Sequence, residues 1–403
     1  MESLVTDTPR PTTALAGSAC PTCEHPSAVR FFDLPAVPVH CNILWPTADA
    51  ARTAPRVAIS LAVCEGCGLV FNAAFDAALV TYDGTYENSL HYSPRFEAYA
   101  QALAQDLSTR FNLRNQLVVE VGCGKGEFLR RLCRTSGARG LGIDASYDPT
   151  IPSEDSGEDI SFVSEPFNTL SKELTPALVF CRHVLEHLPD ARAFVEEFAQ
   201  AARRSTSCHV FLEVPNVLFT LRDLGIWDLI YEHCLYFSAP SLSRLCEAAG
   251  MTVDRVYPAY GDQFLCAEAS ARPGVRHDFT EQLSEIRRLT AAFAVEYRNK
   301  LQHWTQRLAS LQQDGRTVAL WGAGSKGITF ATTVPGGASI ACLVDLNPRK
   351  QGRFVPGTGQ PVVSPEALTT IRPDVIIVMN PLYRDEITGL AQQLGLQSTV
   401  EVA

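Results

Sequence analysis

The sequence has no excess of positive charge: 34 Lys and Arg face 44 Asp and Glu, for a formal net charge of −10. A nucleic-acid partner asks for a basic face, so that class of function is excluded. No apolar stretch approaches the ~18 residues a membrane helix needs. The opening "MESLVTDTPRPTTALAGSAC" lacks both a basic n-region and an apolar h-region. It is therefore expected to be a short disordered lead, not a signal peptide. No internal repeat of short period is present. The thirteen cysteines are odd in number and scattered through apolar segments, unlike a secreted disulfide framework. They predict a cytoplasmic chain with its thiols reduced.

What is present is globular. Hydrophobic residues make up 46% and charged residues 19% of 403 positions, more chain than one ordinary core accommodates. Three domains are expected. Residues 15–80 are rich in Cys, Pro and short β-like runs. Residues 81–275 open on an aromatic loop and then alternate strand-like runs ("QLVVEVGCG", "ARGLGIDAS", "ALVFCRH", "CHVFLEVPN") with helical segments, the pattern of a parallel α/β sheet. Residues 276–403 begin with a stretch free of Pro and Gly from Phe279 to Asp314, read as one or two helices, and continue into a second alternation.

Two CxxC pairs, Cys20–Cys23 and Cys64–Cys67, stand 40 residues apart. Two intervening residues let both thiolates of a pair face one point, and four thiolates close the tetrahedron of structural zinc. The bland reading is a set of core cysteines. A redox pair would need only one CxxC. His40 and Cys41 are spare ligands within the insert.

"LVVEVGCGKGEFL" places Gly122, Gly124 and Gly126 directly after an apolar run that ends at Glu120 and Val121, with Cys123 inside the loop. Such glycines let a cofactor lie against backbone at a helix N-terminus. Asp144, at the end of "GLGIDAS", is placed to take both ribose hydroxyls. No basic residue or hydroxyl in the loop is dedicated to phosphate, so it suits adenosine on an uncharged chain, as in S-adenosylmethionine. The pattern resembles class I methyltransferases; a tight turn without ligand is the alternative. Ser164 and Glu165 follow the next strand, near the expected adenine. "ALVFCRHVLEHLPD" then supplies Arg182, His183, Glu186 and His187 at the carboxyl end of the sheet, and the two histidines share a side if the segment is helical.

A second loop, "LWGAGSKGITF", carries a full GxGxxG at Gly322, Gly324 and Gly327, with Asp345 ending the following strand-like run. By pattern this is the better dinucleotide fingerprint, so an NAD-dependent oxidoreductase is the rival reading. Lys326 within the loop, with Lys350 and Arg353 nearby, looks fitted to a diphosphate instead. A non-catalytic zinc-bearing interaction protein accounts for neither glycine loop.

From Cys20 onward the chain resembles the three-part sugar C-methyltransferases of deoxysugar biosynthesis. The marks are "CPTC…CEGC", "YENSLHYSP", "VEVGCGKGEF", "VLEHLPD", "YEHCLYFS", "WGAGSKG" and "VDLNPRKQGRFVPG". The resemblance implies an N-terminal zinc-binding domain, a class I S-adenosylmethionine domain and a C-terminal Rossmann-like domain. It further implies methylation of a carbon beside a ketone in a nucleotide-linked hexose. His233 is then the general base, with Tyr231 and Glu232 as partners and His187 and His183 as further candidates. The cofactor lies on Glu120, Gly122, Cys123, Gly124, Gly126, Asp144, Glu165 and Arg182. Tyr86, His91, Tyr236, Gly324, Ser325, Lys326 and Lys350 face the acceptor. The chain departs from the family after the fourth strand, where His183 and Glu186–His187 replace an Asn and a Cys-His pair; this bears on the acceptor more than on the chemistry. O-methylation of a sugar or natural-product hydroxyl is the runner-up.

Overall fold

The structure is a computed structural model. It describes residues 19–81, 86–145, 147, 159–170, 174–205, 207–274 and 277–403, with the backbone of Thr13 and Ala14. The rest of the N-terminal lead expected to be disordered lies outside these residues.

Apolar runs of three textures give three sheets. The first is antiparallel, in the order Thr13–Ala14, Ala28–Pro38, Arg56–Cys64, Val70–Asn72, Leu235–Tyr236. Its last strand comes from far along the chain: Leu235 pairs with Phe71 and Tyr236 with Val70. The sequence places "YEHCLYFS" over the second domain, and the structure shows that its latter half completes the first sheet.

The second sheet has seven strands, in the order Thr252–Ala259, Phe264–Ser270, His209–Pro215, Leu178–Arg182, Leu117–Val121, Arg139–Ile143, Ile160–Val163. The five strands from His209–Pro215 to Ile160–Val163 are parallel and nearly continuous in apolar residues, as strands covered on both faces must be. Strand order reverses between Leu117–Val121 and Leu178–Arg182. At such a switch point the loops part and leave a crevice beyond the carboxyl ends. The third sheet is wholly parallel, in the order Val362–Val363, Cys342–Val344, Val318–Trp321, Val375–Val378, Thr399–Val402, with the same kind of reversal.

The Pro- and Gly-free stretch is one helix, Thr280–Gln313, about 50 Å long at 1.5 Å per residue. Its buried residues Ile286, Leu289, Phe293, Tyr297, Leu301, Trp304 and Leu308 recur at three- and four-residue steps, which form one stripe. Phe293 meets Phe32 edge-on at 5.1 Å, and Trp304 meets Phe330 of the third unit at 5.2 Å. First sheet, long helix and third sheet thus share one apolar cluster, in which each buried large side chain contributes about 1.5–3 kcal/mol.

Candidate active site

The glycine loop follows Leu117–Val121 directly into the helix Glu127–Ser136. Gly124, at φ +51°, is the open point: an added Cβ would meet nothing within 4 Å, so the backbone there is bare to a ligand. Gly126, at φ +75°, is closed, since a Cβ would lie 2.3 Å from the Phe162 ring. The Asp144 carboxylate accepts the Gly124 N–H at 2.7 Å, which brings the two ends of the expected cofactor site together. Cys123 is buried beside them, and burial pushes its thiol far above its ordinary range. Glu120 is buried under the loop. Burial raises its carboxyl to about 8 despite the pull of Arg182, and its Oε2 has no hydrogen-bond partner. Glu165 lies exposed beyond Ile160–Val163.

Across the crevice, His183 follows Leu178–Arg182 with φ +55°, a left-handed conformation that costs a non-glycine residue about 1–3 kcal/mol. The segment behind it is not the helix that would align His183 with His187; only the 3-10 turn Leu185–His187 forms. The strained backbone turns the His183 ring inward. Its Nε2 stands 3.1 Å from Glu213 and its Nδ1 3.5 Å from Glu186. Burial works against protonation, but the two carboxylates outweigh it and raise His183 to about 9. Glu213 is likewise pushed up by burial, yet Arg182, His183 and Tyr99 hold it at about 2. Arg182 binds Glu213 through Nε at 2.9 Å and Nη2 at 2.7 Å and lies over the Phe128 ring at 4.0 Å. It is thus engaged inside the protein, where the sequence reading assigns it to the cofactor.

His187 and His233 face each other, with ring centroids 4.8 Å apart. The Glu232 carbonyl can only accept, so His187 Nδ1, 3.0 Å away, carries a proton and donates it there. Burial depresses His233 well below the ordinary histidine range, with His187, His183 and Lys326 adding to the effect. Tyr231 and Glu232 turn away: the Tyr231 hydroxyl accepts the Asp76 N–H at 2.8 Å, and the Glu232 carboxylate accepts the Cys41 N–H at 2.8 Å. Tyr236 donates to the Ile230 carbonyl at 3.0 Å and is buried.

The acceptor-side residues divide. Tyr86 takes a hydrogen bond from Asn42 at 3.1 Å. His91 is tied to Glu97, with Glu127 3.8 Å away. In the third unit, Gly324 and Ser325 open the helix Ser325–Thr333. Lys326 pairs at 2.7 Å with Asp228, just before the YEH stretch. Lys350 is buried, donates to the Ala323 carbonyl at 3.1 Å and lies 3.7 Å from Asp345. Asp345 also accepts the Ala323 N–H at 3.0 Å, so the acid a dinucleotide ribose would need already has protein partners. Sequence reasoning missed Glu213, and also Glu87, which binds Lys125 of the cofactor loop and Arg349 of the third unit. A carboxylate inside the apolar run "FLEVPN" was the available signal for Glu213; Glu87 sits within "YENSLHYSP", where nothing announced its two cationic partners.

The four thiolates converge at the far end of the first sheet. Cys20 and Cys67 sulfurs are 3.7 Å apart, Cys23 and Cys64 sulfurs 3.6 Å, and all four lie within 4.8 Å of one another. A tetrahedron with metal–sulfur bonds of about 2.3 Å has edges of about 3.8 Å, so the set fits structural zinc with no open position. His40 and Cys41 stand apart from it, on Glu232.

Two sequence families match the chain: the methyltransferase domain over residues 93–256 and the C-methyltransferase C-terminal domain over residues 275–399. The C-methyltransferase NovU of Streptomyces niveus is 26% identical over 385 residues, spanning 91% of this chain and 90% of that one. Among solved structures, the 1,6-didemethyltoxoflavin-N1-methyltransferase of Burkholderia thailandensis is similar at 18% identity and a TM-score of 0.35, over 50% of this chain and 94% of that one. The magnesium protoporphyrin IX methyltransferase of Synechocystis PCC 6803 gives 16% and 0.34, over 43% and 83%. At such TM-scores neither likeness carries weight of its own.

Proposed function

We propose that this chain, which matches a methyltransferase domain and a C-methyltransferase C-terminal domain and is similar to a C-methyltransferase along most of its length, methylates a carbon alpha to a ketone in a nucleotide-linked deoxysugar or related natural-product intermediate, with S-adenosylmethionine as donor and His233 as general base. The observation that carries this reading is the place of His233: its ring packs against His187, which follows the strand Leu178–Arg182 at the switch point, while Tyr231 and Glu232 turn away.

A C–H beside a carbonyl is a poor nucleophile until its proton leaves. Burial keeps His233 neutral through the physiological range, so a ring nitrogen is ready to take that proton. The His183 imidazolium adds positive charge nearby as negative charge moves toward the ketone oxygen. When bound, S-adenosylmethionine supplies the electrophilic methyl group. Gly124 would give it open backbone, Asp144 would take the ribose hydroxyls, and Glu120 has a carboxyl oxygen to offer. Ser325 and Lys326, with Arg349 and Lys125, would be the polar and cationic groups offered to the acceptor's diphosphate, Lys326 exchanging its bond to Asp228 and the other two theirs to Glu87. Lys350 held on Asp345 disfavours NAD in the third unit. The odd count and scatter of the thirteen cysteines support a cytoplasmic setting, and among the described residues no helix is long and apolar enough to cross a membrane.

Mass spectrometry of methyl transfer across a panel of nucleotide-linked ketohexoses tests the acceptor class. Exchange of the acceptor C–H with deuterated water, without methyl donor, tests the base; O-methylation gives no such exchange. His233→Asn is expected to lower turnover by about 10²–10⁴-fold and to stop exchange. Full exchange in that variant removes His233 from the role.

A further inference from the structure

We propose that the zinc-bearing first sheet is the holder of the catalytic histidines, and that Glu232 is the positioning residue through which it acts. The proposal rests on the C-methyltransferase reading and assigns a task to a module that chemistry at the crevice does not otherwise use.

Five residues around His233 are bonded to the first sheet or its loops. Tyr231 takes the Asp76 N–H at 2.8 Å, Glu232 the Cys41 N–H at 2.8 Å, and the Cys234 carbonyl the Asn72 N–H at 2.9 Å. Leu235 and Tyr236 then pair with Phe71 and Val70 as the last strand of that sheet. The His233 ring packs instead against His187, in the turn that follows Leu178–Arg182. The strand Arg56–Cys64 ends on the metal ligand Cys64, and the turn through Cys67 leads into Val70–Asn72, the strand that seats Leu235 and Tyr236. A metal held by these cysteines would therefore clamp the hairpin on which the loop rests.

Glu232 joins the two sides through opposite ends of one residue. Its fully buried carboxylate takes the Cys41 N–H, and its carbonyl receives the proton on His187 Nδ1. Moving Glu232 would displace His233, its neighbour, and release the His187 tautomer at the same time. A purely structural glutamate would do neither.

The test uses zinc-loaded full-length chain carrying Glu232→Ala or Glu232→Gln. Glutamine keeps an oxygen to accept the Cys41 N–H; alanine does not. In ¹⁵N-histidine spectra, His187 is expected to show the Nδ1–H form in wild type and Glu232→Gln, and a mixture of tautomers in Glu232→Ala. Amide exchange over residues 229–237 is expected to quicken at least tenfold in Glu232→Ala only. S-adenosylhomocysteine affinity and zinc content should match wild type in both variants. On any ketohexose of the panel that is methylated, Glu232→Ala should lose about 100-fold in kcat, the scale of a 1 Å misplacement, with KM little changed and glutamine restoring the rate. An unchanged His187 spectrum in the alanine variant, or a glutamine variant as damaged as alanine, overturns the proposal. If no panel member is methylated, the acceptor class fails while spectra and exchange still decide this proposal. If Glu232→Ala loses zinc or unfolds, Tyr231→Phe, which removes the hydroxyl that accepts the Asp76 N–H and reaches the Asp76 carbonyl at 3.5 Å, is expected to quicken exchange over the same segment; its failure to do so also overturns it.

Discussion

Removing the charge of Glu213 should unlock the buried ion cluster behind the crevice. Glu213 is inaccessible to solvent and within contact distance of Arg182 and His183, with Tyr99 donating to its other oxygen. His183 owes its rise to about 9 to Glu186 and Glu213 together, against burial. An opposite charge at contact distance shifts a pKa by about 1–3 units, so Glu213→Gln is expected to lower the His183 value by that much, equivalent to about 1.4–4 kcal/mol at 1.36 kcal/mol per unit. Direction matters for pH. His183 is raised, so its contribution is full below the ordinary 6.5 and is lost as pH climbs through about 9. Glu213 is depressed to about 2, so its contribution is present above the ordinary 4.5 and fades as pH falls from there toward 2. The cluster therefore stabilises most between about pH 4.5 and 6.5. Titration of ¹³C-labelled histidines gives the His183 value directly in wild type and variant. Urea unfolding followed by exchange within the seven-stranded sheet, not as a whole-chain midpoint, gives the stability. A His183 pKa unmoved by Glu213→Gln, or a wild-type sheet no weaker at pH 10 than at pH 6, would refute the reasoning.

Three other expectations follow from site geometry. Cys67→Ser should reduce bound zinc from about one per chain to a small fraction by elemental mass spectrometry, since a closed four-sulfur site has no spare ligand. Gly124→Ala should fold, with its left-handed backbone costing about 1 kcal/mol, and lose affinity for S-adenosylhomocysteine by calorimetry. Gly126→Ala, driven against Phe162, should lose more stability than affinity. Asn380→Leu leaves the Gln263 amide unpaired where the two now exchange bonds of 2.8 Å between second and third units, and should cost about 1–3 kcal/mol in urea unfolding.

Much of this architecture could be read locally. Glycines, apolar runs and CxxC spacings are short-range patterns, and each yielded the element it announced. The roles within "YEHCLYFS" could not be read that way. Tyr231, Glu232 and His233 are adjacent and equally polar, and what separates them is a sheet whose partners lie far upstream. Arg182 and Lys350 stand where a ligand would want a cation, and their use by Glu213 and by the Ala323 carbonyl depends on strands that only the fold brings near. The inward turn of His183 rests on one left-handed backbone angle, which side-chain periodicity does not encode.

The late arrival of Leu235–Tyr236 also sets a timetable for synthesis. Asp76 and Tyr231 are 155 residues apart, which a ribosome making about 5–20 residues per second covers in about 8–30 s. For that interval Val70–Asn72 is an edge strand with its outer ladder unfilled, and an unfilled edge invites pairing with other chains. Three residues is a short edge, and Asn72 within it is polar. Early metal capture by the two cysteine pairs would hold the hairpin in register through the wait. A nascent chain starved of zinc should be most prone to aggregate after the first cysteine pairs emerge and before residue 236 does.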